Sequence, residues 1–260
     1  MCTPSYCGRT QLIDSRLFSS IPYDTIPTRQ NAKGPRFMAP GTLYVVATPI
    51  GNLSDITLRA LEVLRGANVI AAEDTRRTRK LLTRHDISAR LVSYHEHNAE
   101  MRSGQLVERL LDGENVALVC NAGTPCVSDP GYRLIRRATK AGCPVVPIPG
   151  ASALSAALSV SGLPSDRFLF EGFLPRKVGK RRRRLEDLAR LGITVIIYES
   201  PQRILRTLGE FAEITPEAQV VLLRELTKIH ETILRGTAAE ILRQLGECTP
   251  KGEITLVVHP

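Results

Sequence analysis

Short apolar runs alternate with longer amphipathic stretches from Gly41 to the end of the chain. Runs of four to eight residues rich in Val, Ile and Leu are typical of strands buried on both faces. We predict ten strands, at Leu43–Ile50, Asn68–Glu73, Leu91–Tyr94, Asn115–Cys120, Pro144–Ile148, Phe168–Phe173, Thr194–Tyr198, Gln219–Arg224, Glu231–Arg235 and Glu253–Val258. Helical periodicity between most of them predicts an α/β protein with a mostly parallel N-terminal sheet. Because the last three strands are separated by less helix, we expect a mixed C-terminal sheet.

Capping residues indicate where two of the helices begin. The stretch Ser54–Leu64 carries an apolar stripe, which predicts a helix. We predict Ser54 or Asp55 as its N-cap and Gly66 just after the end of the helix. Thr237 followed by Glu240 has the spacing of a capping box, which predicts a helix start near the C terminus.

The composition divides the chain into three segments. Residues 1–39 are rich in Pro, Ser and Thr without a sustained hydrophobic period, so we expect a disordered tail. Its arginines and few acids are also compatible with a transit peptide, although Met38 as the true initiator is the interpretation we favour. The rest is predicted to form an N-terminal α/β domain at residues 40–162 and a C-terminal α/β domain at residues 163–260, with the boundary at Gly162–Ser165.

Charge favours a polyanionic partner. Lys and Arg number 35 against 26 Asp and Glu, which gives a net charge of +9. Such a surplus favours binding to phosphates, and the alternative is a basic solvated surface. The apolar runs are too short to span a bilayer. None of the six cysteines forms a CxxC pair, which favours free thiols in the cytoplasm over a zinc site.

Three strand ends in the N-terminal half run into loops rich in glycine, proline and small polar residues. In open α/β sheets, ligands bind at the carboxyl ends of strands, where glycine lets the backbone approach closely. The alternative for each loop is a tight turn, but three in succession favour a cofactor held largely by main-chain groups. The predicted cofactor-binding residues are Thr48, Pro49, Ile50, Gly51, Asn52, Gly123, Thr124, Pro125, Val127, Pro149, Gly150, Ser152 and Ala153. Neither GxGxxG nor GxxxxGK[ST] occurs, so these loops match no standard nucleotide signature.

An ordered set of motifs over residues 41–258 resembles the ribosomal RNA small subunit methyltransferase I family, of the tetrapyrrole methylase superfamily. The matching segments are Gly41–Leu53, Ala72–Arg76, Ala122–Gly131, Pro149–Gly150, Leu163–Phe168, Glu171–Pro175, Arg224–Lys228 and Lys251–Glu253. The chain departs from the family in having Asn121 where Asp is usual. It also ends at Pro260, where the family often continues into a short helical segment.

The resemblance implies two α/β domains with S-adenosylmethionine in the cleft between them, and a homodimer. It implies as substrate the 2′-hydroxyl of a decoding-centre cytidine in small-subunit (16S) rRNA, free or in the assembled 30S subunit. The sulfonium makes the methyl group electrophilic, so the protein has to align the reactants and activate the hydroxyl. We expect no metal and no membrane partner.

Two sets of charged residues are candidates for this activation. Glu73, Asp74 and Arg76 follow a strand just before a basic helix, and they are predicted to position the ribose hydroxyl or remove its proton. The alternative is an N-cap carboxylate with an ion-pair partner. Lys228 is predicted to contact a phosphate or stabilise the developing alkoxide, and the alternative is an exposed salt bridge.

A dense cationic stretch is the predicted RNA-binding segment: Arg176, Lys177, Lys180, Arg181, Arg182, Arg183 and Arg184. Positive charges near a helix start repel one another and oppose the helix dipole, so folding alone gives them little reason to be there. His95 and His97 invite a metal interpretation, but no third ligand at metal spacing lies nearby.

These observations favour an S-adenosylmethionine-dependent rRNA (cytidine-2′-O-)-methyltransferase. Two alternatives stay open. Another methyltransferase of the superfamily, acting on a tetrapyrrole or a diphthamide precursor, would not need the cationic stretch. A non-catalytic RNA-binding protein would not need three cofactor-type loops.

Overall fold

The computed structural model describes residues 39–246 and 250–260, and the predicted N-terminal tail lies almost entirely outside this range. The described residues form ten strands and eight α-helices that alternate through most of the chain. The strands are β1 Leu43–Val46, β2 Val69–Ala72, β3 Leu91–Ser93, β4 Val116–Val119, β5 Val145–Ile148, β6 Phe168–Phe173, β7 Thr194–Glu199, β8 Gln219–Arg224, β9 Thr232–Thr237 and β10 Ile254–His259. The helices are α1 Leu58–Gly66, α2 Thr75–Arg84, α3 Ala99–Leu111, α4 Tyr132–Lys140, α5 Ala153–Ser161, α6 Val178–Ala189, α7 Pro201–Ile214 and α8 Ala238–Leu245.

The first sheet is parallel throughout, with strand order β3-β2-β4-β1-β5. Alternate residues of its strands point to opposite faces. Val69 and Ala71 pack with α3 and α4, whereas Ile70 and Ala72 pack with α1 and α2. Helices therefore cover both faces, and the carboxyl ends of all five strands meet at one edge of the sheet.

The second sheet has the order β6-β7-β10-β8-β9 and is mixed. Strands β6 and β7 are parallel, and β10 runs antiparallel to both β7 and β8. Helices α6, α7 and α8 cover one face, and α5 packs through Ala157 against Ile196 and Val257 on the other. Because β10 is antiparallel to β7, the start of β10 lies beside the end of β7. The predicted α/β class, with one parallel and one mixed sheet, is confirmed.

The predicted strands are all present, shifted by a few residues at most, but the first helix begins later than predicted. Leu53–Asp55 forms a separate 3-10 turn, and Thr57 is the N-cap of α1, where its side chain accepts a hydrogen bond from Ala60 N. Gly66 is the last residue of α1 instead of following it. The apolar stripe was visible in the sequence, but it did not reveal the break between the two helical segments. The capping box at Thr237 is present as predicted.

The predicted domain boundaries stay predictions. Helix α5 precedes the proposed boundary at Gly162–Ser165, yet it packs against the second sheet. No helix among the described residues is long and apolar enough to cross a membrane.

Candidate active site

A cavity of about 410 Å³ lies where the carboxyl ends of the first sheet face the ends of β6 and β7 and the start of β10. From the first half of the chain it is lined by side chains of the strand-end loops, among them Ile50, Glu73 and Asn121. The second half contributes Tyr198 and Glu253. We call it the first cavity.

Hydrogen bonds join the three glycine-rich loops to one another. Thr48 and Gly123 exchange two backbone hydrogen bonds of 2.9 Å each. The hydroxyl of Thr124 donates to the carbonyl of Ala151 at 3.2 Å. Gly150 packs so closely that a Cβ atom there would lie 3.0 Å from the Cβ of Ala47. The loops thus form one connected wall at the edge of the sheet.

The structure brings the predicted cofactor-binding residues into this wall but not all of them into the first cavity. The first cavity is lined by Ile50, Gly123, Thr124, Val127, Ser152 and Ala153. Thr48, Pro49 and Gly51 line an adjoining cavity, and Asn52 lines a third. Pro125, Pro149 and Gly150 lie in the same loops without lining any of the three.

Asn121 carries an unused acceptor at this site. Its Oδ1 is buried and has no hydrogen-bond partner within the described residues, while its backbone N donates to Glu73 Oε2 at 3.2 Å. A buried polar atom without a partner is costly, so a ligand that donates a hydrogen bond here gains free energy. The first cavity therefore fits a ligand carrying hydroxyl or amino donors.

Asp129 is a site residue that was not predicted from the sequence. Burial, together with the neighbouring charge of Glu73, raises the pKa of Asp129 to about 6. Both carboxylates line the first cavity, which makes it acidic and suited to a cationic group. Asp129 belongs to the second glycine-rich loop, so its position in the chain was a usable signal. Tyr198 and Glu253 were also missed. Tyr198 lies at the end of β7, and the antiparallel pairing of β10 with β7 brings Glu253, just before β10, to the same edge. The family motif Lys251–Glu253 was a usable signal for Glu253.

The predicted catalytic residues Glu73, Asp74 and Arg76 separate in the structure. Glu73 lines the first cavity, whereas Asp74 and Arg76 do not. Asp74 is the N-cap of α2, accepting a hydrogen bond from Arg76 N at 2.8 Å and forming an ion pair with the exposed Arg76 side chain at 3.3 Å. Hydrogen bonds from Arg76 hold the pKa of Asp74 below its usual value, which makes it a poor base. The geometry fits the alternative of a helix cap with an ion-pair partner.

Lys228 lies in the loop between β8 and β9 and is held by two carboxylates. Its Nζ is 2.8 Å from Glu225 Oε1 and 2.9 Å from Glu253 Oε2. Partial burial lowers the pKa of Lys228, but these two hydrogen bonds outweigh that effect and raise it above its usual value. The group therefore stays charged at neutral pH, which suits it to stabilise negative charge and not to accept a proton. Gly51 packs against its side chain with no room for a Cβ atom.

The structure corrects the interpretation of the cationic stretch. Arg181 is only 2% exposed, and its guanidinium donates two hydrogen bonds of 2.7 and 2.6 Å to Glu210. Arg184 makes a similar two-bond contact with Glu171, and Arg182 pairs with Glu213. Folding thus gives these three arginines a role, because each neutralises an acid that is distant in sequence. Arg181 is buried and is no RNA contact.

The described residues contain no group of three or more His, Cys, Asp and Glu side chains that could hold a metal ion. His95 and His97 follow β3, and their rings meet edge to face with centroids 5.9 Å apart.

The family model for tetrapyrrole (corrin/porphyrin) methylases matches residues 42–242. The chain belongs to that family. It is 51% identical over 219 residues to ribosomal RNA small subunit methyltransferase I of Halalkalibacterium halodurans, covering 84% of this chain and 76% of that relative. It therefore also belongs to the family of that name.

Solved structures of tetrapyrrole methylases share the fold. A cobalt precorrin-4 methyltransferase matches with a TM-score of 0.63 at 20% identity, covering 87% of this chain and 98% of that chain. A uroporphyrin-III C-methyltransferase from Thermus thermophilus, complexed with S-adenosylhomocysteine, matches with a TM-score of 0.59 at 20% identity, covering 84% and 97%.

Proposed function

We propose that this protein transfers a methyl group from S-adenosylmethionine to the ribose 2′-hydroxyl of a decoding-centre cytidine in small-subunit rRNA. The observation that carries the proposal is the close similarity to the relative named ribosomal RNA small subunit methyltransferase I, which extends over the strand-end loops that form the first cavity.

The residues of the first cavity fit S-adenosylmethionine. The cofactor carries hydroxyl and amino donors for the unpartnered Asn121 Oδ1, and cationic groups that complement the carboxylates of Glu73 and Asp129. The loops around Gly123 and Ser152 would hold it through main-chain groups. When bound, the cofactor supplies an electrophilic methyl group on a sulfonium centre.

Three charged residues are assigned to the acceptor hydroxyl. Glu73 and Lys228 keep the roles predicted from the sequence, with Glu73 removing the proton and Lys228 stabilising the alkoxide that develops. Glu253 joins them because it lines both the first cavity and the adjoining one and is bonded to Lys228. The hydrogen bond from Lys228 to Glu253 would hold the ammonium at the boundary between cofactor and acceptor.

The remaining partners follow the family resemblance. The protein acts as a homodimer in the cytoplasm, on rRNA or on the 30S subunit. Arg176, Lys177, Lys180 and Arg183 are exposed, lack ion-pair partners among the described residues, and stay candidates for phosphate contacts.

Mapping ribose methylation by mass spectrometry in cells that lack the gene tests the function. We expect one cytidine of small-subunit rRNA to lose its 2′-O-methyl group, and a plasmid carrying the wild-type gene to restore it. The Glu73→Gln variant, produced at wild-type level, should restore little or none. An unchanged rRNA methylation map, or a change only in tetrapyrrole methylation, would refute the proposal.

A further inference from the structure

Two further cavities continue from the first cavity along helix α2. The second, of about 310 Å³, shares Ile50, Arg77 and Asn121 with the first. The third, of about 810 Å³ and wide open, shares Gly51 and Lys228 with the second. Together they form a path from the surface to the wall formed by the three glycine-rich loops.

One face of α2 borders this path with positive charge. Arg77, Lys80 and Arg84 occupy positions i, i+3 and i+7, which lie on the same side of a helix. At 1.5 Å per residue they extend over roughly 10 Å. Arg77 and Lys80 line the second cavity and Arg84 lines the third. All three are exposed, and none forms a salt bridge within the part of the chain that the structure describes.

The opposite side of the path is the loop 225–231. Ile229 at its tip is 94% exposed and lines the third cavity together with the partly exposed Leu53. The loop is fixed in place, because Asn52 N donates to Thr227 Oγ1 at 3.1 Å and Thr227 N donates to Glu231 Oε2 at 2.6 Å. A firmly held loop with an apolar tip gives a base a surface to contact.

We propose that the RNA strand reaches the reacting centre over α2. The acceptor base lies in the second cavity, the acceptor ribose lies at its boundary with the first cavity, which Glu73 lines, and the flanking phosphates lie on Lys80 and Arg84. This inference rests on the proposed function. Unpaired cations in a row suit a partner with repeated negative charges. Sequence-specific RNA recognition mostly uses single-stranded segments with unstacked bases, and Leu53 and Ile229 offer such a base an apolar surface. The occupant is therefore a single-stranded rRNA segment that contains the acceptor cytidine.

The chain offers a matched pair of variants for the test. Lys80→Gln/Arg84→Gln removes one Lys and one Arg from α2, and Arg136→Gln/Lys140→Gln removes the same charges from α4. Helices α2 and α4 pack on opposite faces of the first sheet, and Arg136 and Lys140 are exposed without salt bridges in the described residues. Neither pair lines the first cavity, so affinity for S-adenosylmethionine should stay at the wild-type value in both.

The readout is the affinity of the full-length protein for a labelled RNA containing the acceptor cytidine, measured across salt concentrations. The α2 variant should bind about tenfold more weakly, and its slope of log affinity against log salt should flatten by about 1.4, at roughly 0.7 per lost contact to a single strand. The α4 variant should keep the wild-type slope. An α2 variant with wild-type affinity and slope, or equal losses in both variants, would overturn the inference. If the wild-type protein transfers no methyl group to this RNA, but the α2 and α4 variants differ in RNA affinity as expected, the proposed function alone is refuted.

Discussion

Helices α2 and α6 have similar positive charge in the sequence but differ in what neutralises it. In α6, Arg181 and Arg184 each form a two-bond contact with a carboxylate of another element. In α2, the residues Arg77, Lys80 and Arg84 have no such partner in the described residues. The density of basic residues therefore does not tell how many cations are free of internal ion pairs. We propose that the cations left over after internal pairing are the ones that contact phosphates.

The largest effect that we expect is the loss of protein stability when the buried arginine of α6 is replaced. Removing one partner of a buried ion pair costs about 3–5 kcal/mol, because the other charge stays buried without compensation. We expect Arg181→Met to lower the free energy of unfolding by this amount in urea titrations, since Glu210 is left unpaired.

Two controls sharpen that measurement. Arg183 lies on the same helix but is exposed, so Arg183→Gln should change the free energy of unfolding by no more than about 0.5 kcal/mol. Adding Glu210→Met to Arg181→Met should recover much of the loss, because the buried charge is removed. If Arg181→Met is as stable as the wild type but binds RNA more weakly, the structural role of α6 is wrong.

For RNA binding, we expect substitutions on α2 to have a larger effect than substitutions on α6. Lys180→Gln/Arg183→Gln on α6 removes the same charges as Lys80→Gln/Arg84→Gln on α2. We expect the α6 variant to flatten the salt dependence of RNA affinity by about 0.7 at most, half the change expected on α2. Fluorescence anisotropy over a salt series measures both, and a larger change from α6 would contradict the comparison.

Asp129 is an acid that forms no ion pair with a basic side chain in the part of the chain that the structure describes. Its pKa is about 6 in the folded protein against an ordinary value of 3.8, so the ionised form is disfavoured by folding. Stability should therefore fall as pH rises from about 4 to about 6, and the penalty is fully present above that range. Because the group is partly solvated, we expect Asp129→Asn to be more stable than the wild type by only about 1 kcal/mol at pH 7. Parallel stability curves for the two proteins between pH 4 and 7 would refute this assignment.

The exposed pair Arg182–Glu213 should show the smallest effect. Its charges are solvated, so the attraction between them is screened and the pair contributes little to stability. Thermal unfolding of Arg182→Gln should differ little from that of the wild type. If Arg182→Gln loses as much stability as Arg181→Met, the exposure of an ion pair does not determine its contribution to stability, and the comparison is wrong.

The sequence was informative where structure is local and repetitive. Buried strands were predicted from their apolar runs. Because the carboxyl ends of parallel strands meet at one edge of the sheet, the loops containing Gly123 and Ser152 could be placed together. Pairing across long separations left no such signal. Glu171 and Glu210 are 13 and 29 residues from the arginines they neutralise, and nothing in their surroundings marks them as partners. Glu253 belongs to a matching family motif, but its place beside Lys228 follows from the antiparallel register of β10, which the motif does not reveal.

The most direct test of the whole account is methyl transfer by the purified protein. It would be given S-adenosylmethionine with a deuterated methyl group and small-subunit rRNA or 30S subunits lacking the modification, followed by nuclease digestion and mass spectrometry. We expect one labelled methyl group on the ribose of a single cytidine, and little or none with Glu73→Gln. Label on a base, or no label on either RNA substrate from a folded protein that binds the cofactor, would contradict it.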